Sequence, residues 1–381
     1  MSKISSFLLK TGWVLMFVGL PLGSAVGAFP FLLAGKILGK RPEIEKDLLF
    51  FLVNIFILTS LFSILNSRNK LFVLSVVIQL FLMLYLVLLG AGYLLSKRGF
   101  LKKLVKVFIL FSVFSGIYGT FLYFGRFEAR ARTLFTGENG LGTVMIPAVI
   151  ITLACFTHTK GKKKLLAGFS LLIVLMGLLL SFSRGAWLGA GGGLLIYAIC
   201  QKKDRLRVAA LIAIVALIFF AYPPLVYRFN LIFNPSYPSN QERIYILKAT
   251  WQMIKDHPIT GVGMGNYPLV YPEYKLAESR IQNASFAHNI FIQIWAEGGI
   301  GTLAAFVGLV FLTLIKGARM RGIDDSFLRL VKTVSLASFA GILIHNQVDC
   351  TIYSMHIGPL FFLLAGIIFY SHKFALPQKR D

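Results

Sequence analysis

Long apolar runs dominate the chain and alternate with short polar segments that are mostly basic. Each run has roughly 16 to 25 residues, the length that an α-helix needs to cross a hydrocarbon core about 30 Å thick. The pattern predicts an all-α, polytopic integral membrane protein with about twelve transmembrane helices. We place them at residues 5–20, 24–38, 48–65, 71–95, 104–124, 140–157, 164–182, 185–200, 206–222, 286–315, 327–347 and 355–371. The sequence LPLGS at 20–24 is either a turn between the first two helices or a break within one, so eleven spans is the alternative.

The longest polar interruption lies between the ninth and tenth predicted helices. Residues 223–287 would form an extracytoplasmic loop inserted into a single membrane domain of residues 1–381. Its segment NPSYPSNQER predicts a helix start with Ser239 or Asn240 as N-cap. An apolar stripe at helical spacing then predicts an amphipathic helix on or between the membrane helices. The stripe consists of Ile244, Leu247, Thr250, Trp251 and Ile254.

Composition supports the membrane interpretation. Hydrophobic residues make up 57% of the chain and charged residues only 14%, which excludes an ordinary soluble domain. A net charge of +24 would suggest nucleic-acid binding in a soluble protein. In a membrane protein it fits basic cytoplasmic loops, so no nucleic-acid partner is expected. The three cysteines lack C-x-x-C spacing, so neither a disulfide framework nor a zinc site is indicated.

The distribution of Lys and Arg predicts the orientation. Of the 39 basic residues, 27 lie at the termini and in alternate loops, at 36–46, 97–106, 160–164, 202–207 and 316–332. These segments and both termini are therefore assigned to the cytoplasm. The remaining 12 face outward, where the same rule does not explain them. An anionic ligand would explain the outer cluster of Arg126, Arg130 and Arg132, with lipid headgroups as the alternative.

Two further arginines stand out on the outer side, and a third accompanies them. Arg184 lies at the turn between two apolar helices, where a charge is costly unless it faces a cavity or the protein interior. We interpret it as a ligand residue, with interfacial snorkelling as the alternative. Arg243 lies near the start of the amphipathic helix, where the helix dipole opposes a cation, so we expect it to have a partner. Arg280 is a further outer cation near the end of the loop.

The segment HPITGVGMGNYP follows the amphipathic helix. Its glycines, Gly261, Gly263 and Gly265, permit positive φ or close approach of the backbone to a ligand, and could present amides to an oxyanion. No βαβ pattern surrounds them, so their spacing is not a dinucleotide fingerprint.

Candidates for proton transfer lie near the outer ends of the last helices. His288 and Asn289 stand at the start of the tenth helix, where a near-neutral imidazole could accept a proton from a hydroxyl group. An interfacial capping histidine is the alternative. Glu297 could position His288 or an arginine. His345 and Asp349, four residues apart, could orient another group or the acceptor, or form a simple hydrogen-bonded pair.

Three motifs taken together resemble the O-antigen ligase and polymerase superfamily. They are SRGAWLG at 183–189, the R-x7-W-x5-HP-x2-G-x-G-x-G-N-Y pattern from Arg243 to Tyr267, and HN-x7-EGGIG at 288–301. Residues 132–145 and 345–359 are similar to the family more loosely. The resemblance implies a GT-C-like membrane glycosyltransferase that uses glycans linked to polyprenyl diphosphate.

The resemblance also implies roles for individual residues. By matching motif, Arg184 and Arg243 would bind the donor diphosphate, and His288 would be the catalytic base that assists the acceptor hydroxyl. The second-tier candidates are Arg126, Arg130, Arg132, Arg280, Asn289, Glu297, His345 and Asp349. No metal and no cofactor is expected, because guanidinium groups can neutralise a departing diphosphate.

The resemblance predicts an O-antigen ligase-like enzyme of the bacterial cytoplasmic membrane. It would move a preassembled glycan from polyprenyl (undecaprenyl) diphosphate to an acceptor hydroxyl on the outer face. The acceptor would be a lipid A core for a ligase, another glycan repeat for a polymerase, or a protein for an oligosaccharyltransferase. A transporter of lipid-linked oligosaccharides is the competing class, although ionisable residues are scarce within the predicted spans.

Overall fold

The computed structural model describes residues 3–38, 48–320, 322–354, 356–371 and 374. Within these ranges the regular elements are helices, as the apolar pattern predicts. The α-helices are α1 (Lys3–Leu22), α2 (Phe29–Ile37), α3 (Leu48–Phe62), α4 (Lys70–Phe81), α5 (Ala91–Ser96), α6 (Arg98–Phe124), α7 (Glu138–His158), α8 (Gly161–Leu180), α9 (Arg184–Cys200), α10 (Arg205–Ala221), α11 (Pro223–Asn230), α12 (Pro238–Asp256), α13 (Tyr267–Tyr274), α14 (Ile290–Ala318), α15 (Ser326–His345) and α16 (Gly358–Ser371). Short 3₁₀ turns and one π-helical segment, Leu82–Leu88, join several of them.

The helices of the described chain make this a polytopic integral membrane protein. Eight helical segments in these ranges are long and apolar enough to cross a membrane, and a ninth is added if the pair Lys202–Ala221 and Pro223–Asp256, bent by 96°, counts as one span. Each of the twelve predicted segments overlaps a helix, but the number of twelve spans stays a prediction. Of the basic residues used to predict the orientation, Lys40, Arg41, Lys46, Arg321, Lys373, Lys379 and Arg380 lie outside the described ranges.

Small residues bring α9 and α15 into close contact. A Cβ added to Gly193 would lie only 2.8 Å from the Ala337 carbonyl, so the two helix backbones pack directly on each other. The small residues of the sequence GAWLGAGGG at 185–193 supply this surface, since side chains of this size let two helix backbones approach closely. Because α9 begins at Arg184 and α15 ends at His345, the contact places these two residues at the same end of the bundle.

Residues 223–287 form a helical layer built from α11, α12, α13 and the coil that follows. Buried apolar residues in this layer and in the adjoining part of α14 make a second core, smaller than the core of the bundle. Its members are Ile246, Ala249, Met253, Ile254, Val262, Tyr267, Val270, Tyr271, Ala284, Ala287 and Ala296. The layer is thus an ordered part of the fold with its own packing.

The start of α12 differs from the sequence prediction. Its N-cap is Tyr237, whereas Ser239 and Asn240 lie inside the first turn. Pro238 is the first helical residue, a position that suits proline because its missing N–H would have no partner there. The side chain of Asn240 is thereby released for other contacts.

The buried face of α12 follows the predicted stripe only in part. Thr250 and Ile254 of the stripe are buried, whereas Ile244 and Trp251 are 44% and 45% exposed. Ile246, Ala249 and Met253 are buried as well, and the Thr250 hydroxyl lies 2.7 Å from the hydroxyl of Tyr267. The helix has apolar residues on two neighbouring faces, and the face with small side chains admits the tyrosine rings of α13.

Helix α14 is bent at Gly299, which has φ 76° and ψ 179°. The Pro258 carbonyl enters the break and accepts hydrogen bonds from the Ile300 N–H at 3.0 Å and from Trp295 Nε1 at 3.1 Å. The bend divides α14 into an outer part that packs against the layer and an inner part within the bundle. A carbonyl inserted into the helical hydrogen-bond ladder is a recognised cause of such bends.

Candidate active site

A cavity of about 290 Å³ opens at the end of the bundle where α7, α9 and α12 begin and where α8 and α15 end. Its walls combine arginines, carboxylates and histidines with a few apolar side chains. The lining residues are Arg130, Asn139, Phe182, Ser183, Arg184, Gly185, Arg228, Ser239, Glu242, Arg243, Ile246, Ile281, His288, His345, Val348 and Asp349. Residues distant in sequence thus meet around one polar space.

The turn between α8 and α9 is held by two arginines from other elements. Phe182 in this turn has φ 48°, a left-handed conformation that a bulky residue adopts only at an energetic cost. Arg130 Nε donates to the Ser181 carbonyl at 2.8 Å, and Arg228 Nε donates to the Phe182 carbonyl at 3.3 Å. These contacts determine the path of the chain just before Arg184.

Arg184 reaches from the start of α9 into the cavity. Its Nη2 donates a 2.7 Å hydrogen bond to Asn240 Oδ1 on α12. Its Nη1 is buried and has no hydrogen-bond partner within the described chain. A buried donor without an acceptor is costly, and a bound anion would satisfy it.

Arg243 lies about one turn beyond Asn240 on α12 and also lines the cavity. No ion pair or hydrogen bond joins its side chain to another described residue. Asp349 and Arg228 are the charged groups that act on it most strongly. Its guanidinium group is therefore available to a ligand.

The loop before α14 holds His288 in a left-handed conformation, with φ 55°. Its neighbours are firmly anchored: Gln293 Oε1 accepts a 2.7 Å hydrogen bond from the Ala287 N–H, and Asn289 Nδ2 donates to the Gln347 carbonyl at 3.1 Å. Asn289 also caps α14 by accepting from two of its first N–H groups, each at 3.1 Å. A strained non-glycine backbone costs about 1–3 kcal/mol, which the surrounding contacts must offset.

The imidazole of His288 lines the cavity, and its Nδ1 is buried without a hydrogen-bond partner among the described residues. Burial lowers the pKa of His288 from its ordinary value of 6.5, the charge of Asp349 opposes this change, and Arg243 adds to it. The ring is therefore neutral at neutral pH. A neutral imidazole with a free nitrogen is suited to accept a proton.

His345 and Asp349 lie together at the end of α15. His345 is the last residue of the helix, and its Nε2 lies 4.0 Å from Asp349 Oδ2, too far for a hydrogen bond. The ring nitrogens instead contact the hydroxyls of Thr143 at 3.1 Å and Ser183 at 3.3 Å, while Asp349 accepts from Asn139 Nδ2. The alternative of a simple hydrogen-bonded pair is therefore wrong.

Positive charge exceeds negative charge around the cavity. The guanidinium groups are those of Arg130, Arg184, Arg228 and Arg243, and the carboxylates are those of Glu242 and Asp349. The Glu242 carboxylate already accepts from Ser279 Oγ at 2.7 Å and from the Arg280 N–H at 2.9 Å. The balance favours a multiply charged anion, which guanidinium groups bind with charge-assisted hydrogen bonds.

One comparison with known families bears on the segment that runs from α8 into α14. Residues 169–307 match the family model described as O-antigen ligase. This match confirms the resemblance seen in the motifs. It supports a membrane glycan-processing enzyme of the ligase or polymerase type, with glycans and lipid-linked molecules as its general substrates. Comparison with curated proteins gave no match.

The matched segment contributes most of the charged residues of the cavity, namely Arg184, Arg228, Glu242 and Arg243, and also His288. Arg130, His345 and Asp349 reach the same space from helices and loops on either side of the matched region. The structure thus brings together all three residues to which the motifs assign main roles.

Five second-tier candidates, Glu297 among them, do not line the cavity. Arg126 is exposed, and Arg132 pairs with Glu128 at 2.9 Å. The Arg280 side chain is exposed, so this residue contributes only its backbone N–H, to Glu242. Asn289 is the N-cap of α14 and sets the backbone next to His288.

Glu297, the last second-tier candidate, serves the glycine segment rather than His288. Its carboxylate is buried and accepts hydrogen bonds from the N–H groups of Gly265 and Tyr267, both at 2.9 Å, and from the Tyr353 hydroxyl. It lies within α14, outside the cavity lining. The expectation that Glu297 positions His288 or an arginine by direct contact is therefore wrong.

The glycines of the segment after α12 adopt positive φ values, as their residue type permits. Gly261, Gly263 and Gly265 have φ values of 68°, 101° and 80°. However, the Gly261 and Gly263 N–H groups donate to backbone carbonyls, and the Gly265 N–H donates to Glu297. The expectation that these amides face a substrate oxyanion is wrong, because groups of the chain itself occupy them.

Sequence reasoning missed several residues of the cavity, of which Arg228 and Asn139 are the most important. Arg228 was counted only as one of the outer cations, and Asn139 was not considered. Arg228 follows PPLVY, where two prolines begin a short helix after α10. That start of a new helix at the end of an apolar membrane segment is the one feature that could have indicated it.

Proposed function

We propose that the protein transfers a preassembled glycan from polyprenyl diphosphate to an acceptor hydroxyl group, as an O-antigen ligase. The observation that carries this proposal is the convergence of Arg184, Arg243 and His288 on one cavity. Two guanidinium groups with unused donors suit a diphosphate, and a neutral imidazole with a free nitrogen suits a hydroxyl group. An anion site beside a base is the arrangement that glycosyl transfer from a diphosphate requires.

Each of the three residues has a defined role in this scheme. Arg184 and Arg243 bind the oxygen atoms of the donor diphosphate and hold the anomeric carbon towards His288. The acceptor oxygen attacks that carbon while its proton passes to His288, and the bond from the carbon to the diphosphate oxygen breaks. The electron pair leaves with the diphosphate, whose negative charge the guanidinium groups stabilise without a metal ion. Attack opposite the leaving group inverts the anomeric configuration.

We place the cavity on the outer face of the cytoplasmic membrane, with twelve spans and both termini in the cytoplasm. The distribution of basic residues supports this orientation. A cysteine substituted for Ser239, beside the cavity, should react with an impermeant thiol reagent added outside intact cells. A cysteine substituted for Lys162, at the start of α8, should react only after the membrane is permeabilised. The reverse pattern would overturn the orientation.

The decisive experiment uses the purified protein in liposomes with a labelled polyprenyl-diphosphate oligosaccharide and candidate acceptors. Wild type should form a new glycosidic bond, and His288→Ala should reduce the rate by about 10²- to 10⁴-fold, the usual contribution of a general base. His257→Ala is the matched control, because this histidine ends α12 and does not line the cavity.

The products of that experiment also distinguish the alternatives. One addition to a lipid A core would support a ligase, and a ladder of glycan sizes would support a polymerase. A labelled protein would indicate an oligosaccharyltransferase. Movement of the lipid-linked sugar across the bilayer without a new bond would replace the proposal with a transporter.

A further inference from the structure

Arg228 differs from the two proposed diphosphate ligands in how its guanidinium group is held. It lies in the last turn of α11, just after the 96° bend that separates α10 from the outer layer. Its Nε donates to the Phe182 carbonyl at 3.3 Å, so the contact with the α8–α9 turn is made by Nε and leaves Nη1 and Nη2 for other partners. Nη1 has one long contact, 3.4 Å to the Tyr237 hydroxyl, and Nη2 has no hydrogen bond to another described residue.

Arg130 provides an informative comparison. It uses Nε in the same way, on the Ser181 carbonyl, but its other nitrogens face acceptors of their own. Nη2 donates to Asn139 Oδ1 at 3.3 Å, and Nη1 lies 4.0 Å from the Glu138 carboxylate. All the guanidinium nitrogens of Arg130 therefore face acceptors of the protein, whereas Nη1 and Nη2 of Arg228 have only one long contact between them.

The charges around Arg228 also favour the binding of an anion. Among the charged groups, Arg228 acts most strongly on Arg184, and it is second only to Asp349 in its effect on Arg243. Within the described chain no carboxylate forms an ion pair with Arg184, Arg228 or Arg243. Asp349 offsets part of the charge on Arg243, but three cations with no carboxylate at ion-pair distance repel each other, and an anion bound between them would relieve this repulsion.

We propose that Arg228 is a third ligand of the donor diphosphate and stabilises the charge that develops on the leaving group. This inference rests on the proposed function. When the bond between the anomeric carbon and the diphosphate oxygen breaks, the electron pair stays on that oxygen and the diphosphate gains one negative charge. Two guanidinium groups match the two charges of the bound donor, and a third matches the additional charge of the product. An interaction that strengthens in this way accelerates the reaction.

The test compares Arg228→Gln and Arg228→Lys with wild type in the full-length protein. The matched control is Arg126→Gln, because Arg126 is exposed near the same end of the bundle and does not line the cavity. Two measurements are needed: the transfer kinetics with the labelled donor, and direct binding of fluorescent farnesyl diphosphate, which represents the leaving group. The binding measurement does not depend on whether the protein is active.

We expect Arg228→Gln to weaken farnesyl diphosphate binding and to lower kcat, each by about 10- to 100-fold, the equivalent of one hydrogen bond to a charged group. The donor KM should change by less than about threefold, because the contact strengthens only as charge develops. A merely structural role would alter thermal stability without this selective loss. If the Gln variant does not fold, Arg228→Lys keeps the charge but not the fork of donors, and its binding should still weaken at least threefold.

The outcomes separate the inference from the proposed function. Farnesyl diphosphate binding within twofold of wild type in both variants would overturn the role of Arg228, whatever the kinetics show. Wild-type protein that binds the diphosphate but forms no glycosidic bond would overturn the proposed function and leave an anion site that includes Arg228. Equal losses in the Arg126→Gln control would point to general surface charge and would also overturn the inference.

Discussion

Arg184 on α9 and Asn240 on α12 are joined by a 2.7 Å hydrogen bond from Nη2 to Oδ1. The Asn240 amide is itself oriented, because its Nδ2 donates to the carbonyls of Leu231 and Asn234 at 2.7 and 2.8 Å. The orientation of an arginine from the membrane bundle is thus set by a side chain from the helical layer of residues 223–287. The two parts of the fold are coupled at the proposed diphosphate site.

This coupling makes Asn240→Ala a specific test. The substitution removes the acceptor for Arg184 Nη2 and should raise the donor KM by about tenfold, because a hydrogen bond to a charged group contributes roughly 1.5 kcal/mol. The transfer kinetics of the purified protein measure this effect. Asn230→Ala is the control, since Asn230 is exposed at the end of α11. Equal KM values for wild type and Asn240→Ala would show that the contact does not orient Arg184 for binding.

The pH dependence of transfer should report His288. Burial lowers the pKa of His288 from 6.5, and only the neutral ring can accept a proton. The rate should therefore be constant at neutral pH, fall as the pH decreases through the lowered pKa, and reach half its maximum below pH 6.5. Rates measured between pH 5 and 8 under saturating donor check this. A half-maximal rate above pH 7 would be inconsistent with His288 as the base.

Glu297→Ala should destabilise the protein strongly. The change leaves the N–H group of Tyr267 and the hydroxyl of Tyr353 without their buried acceptor, whereas the N–H of Gly265 keeps the Tyr353 oxygen at 3.1 Å. At about 1–3 kcal/mol for each unsatisfied group, we expect a loss of at least about 2 kcal/mol and a clearly lower Tm in detergent. Glu278→Ala, at an exposed position in the same layer, should leave Tm unchanged. Equal Tm values for the two variants would refute the assigned role of Glu297.

Gly299→Ala should also destabilise the fold, for a different reason. Gly299 has φ 76°, and an added Cβ would collide with the Ile259 carbonyl. A strained backbone and a steric clash together should lower the stability by roughly 2 kcal/mol or more. Gly191→Ala is the matched control, because Gly191 lies in α9 with open space around it and should be neutral or slightly stabilising. Thermal unfolding of both variants tests the pair.

Helices and several cavity residues were predictable from the sequence because each depends on local pattern. The apolar runs give the helices, since twenty residues suffice to cross a membrane whatever their partners. Arg184 was recognisable because a charge between two apolar helices is costly unless it faces a cavity or a partner. His288 was recognisable because it stands at the boundary between the polar loop and an apolar helix. Their meeting in one cavity does not follow from spacing, because it depends on the packing of α9 against α15.

Other features depended on partners that are distant in the sequence. Glu297 accepts hydrogen bonds from residues 30 and 32 positions earlier, so its role with the glycine segment could not be deduced from its own surroundings. Arg228 looks like any other outer cation until the Phe182 carbonyl, 46 residues away, is placed beside it. The buried face of α12 was predicted only in part, at Thr250 and Ile254, because two neighbouring faces are apolar and the tyrosines of α13 select between them.

The bend in α14 has a consequence for how the protein responds to its bilayer. Hydrogen bonds from Val262 and Gly263 join the outer part of the helix to the glycine segment, while the inner part packs within the bundle. A thinner or thicker bilayer changes the tilt of a spanning helix. Because the helix changes direction at Gly299, we expect a change in the tilt of the inner part to be absorbed at this break. The position of His288 should then be independent of membrane thickness.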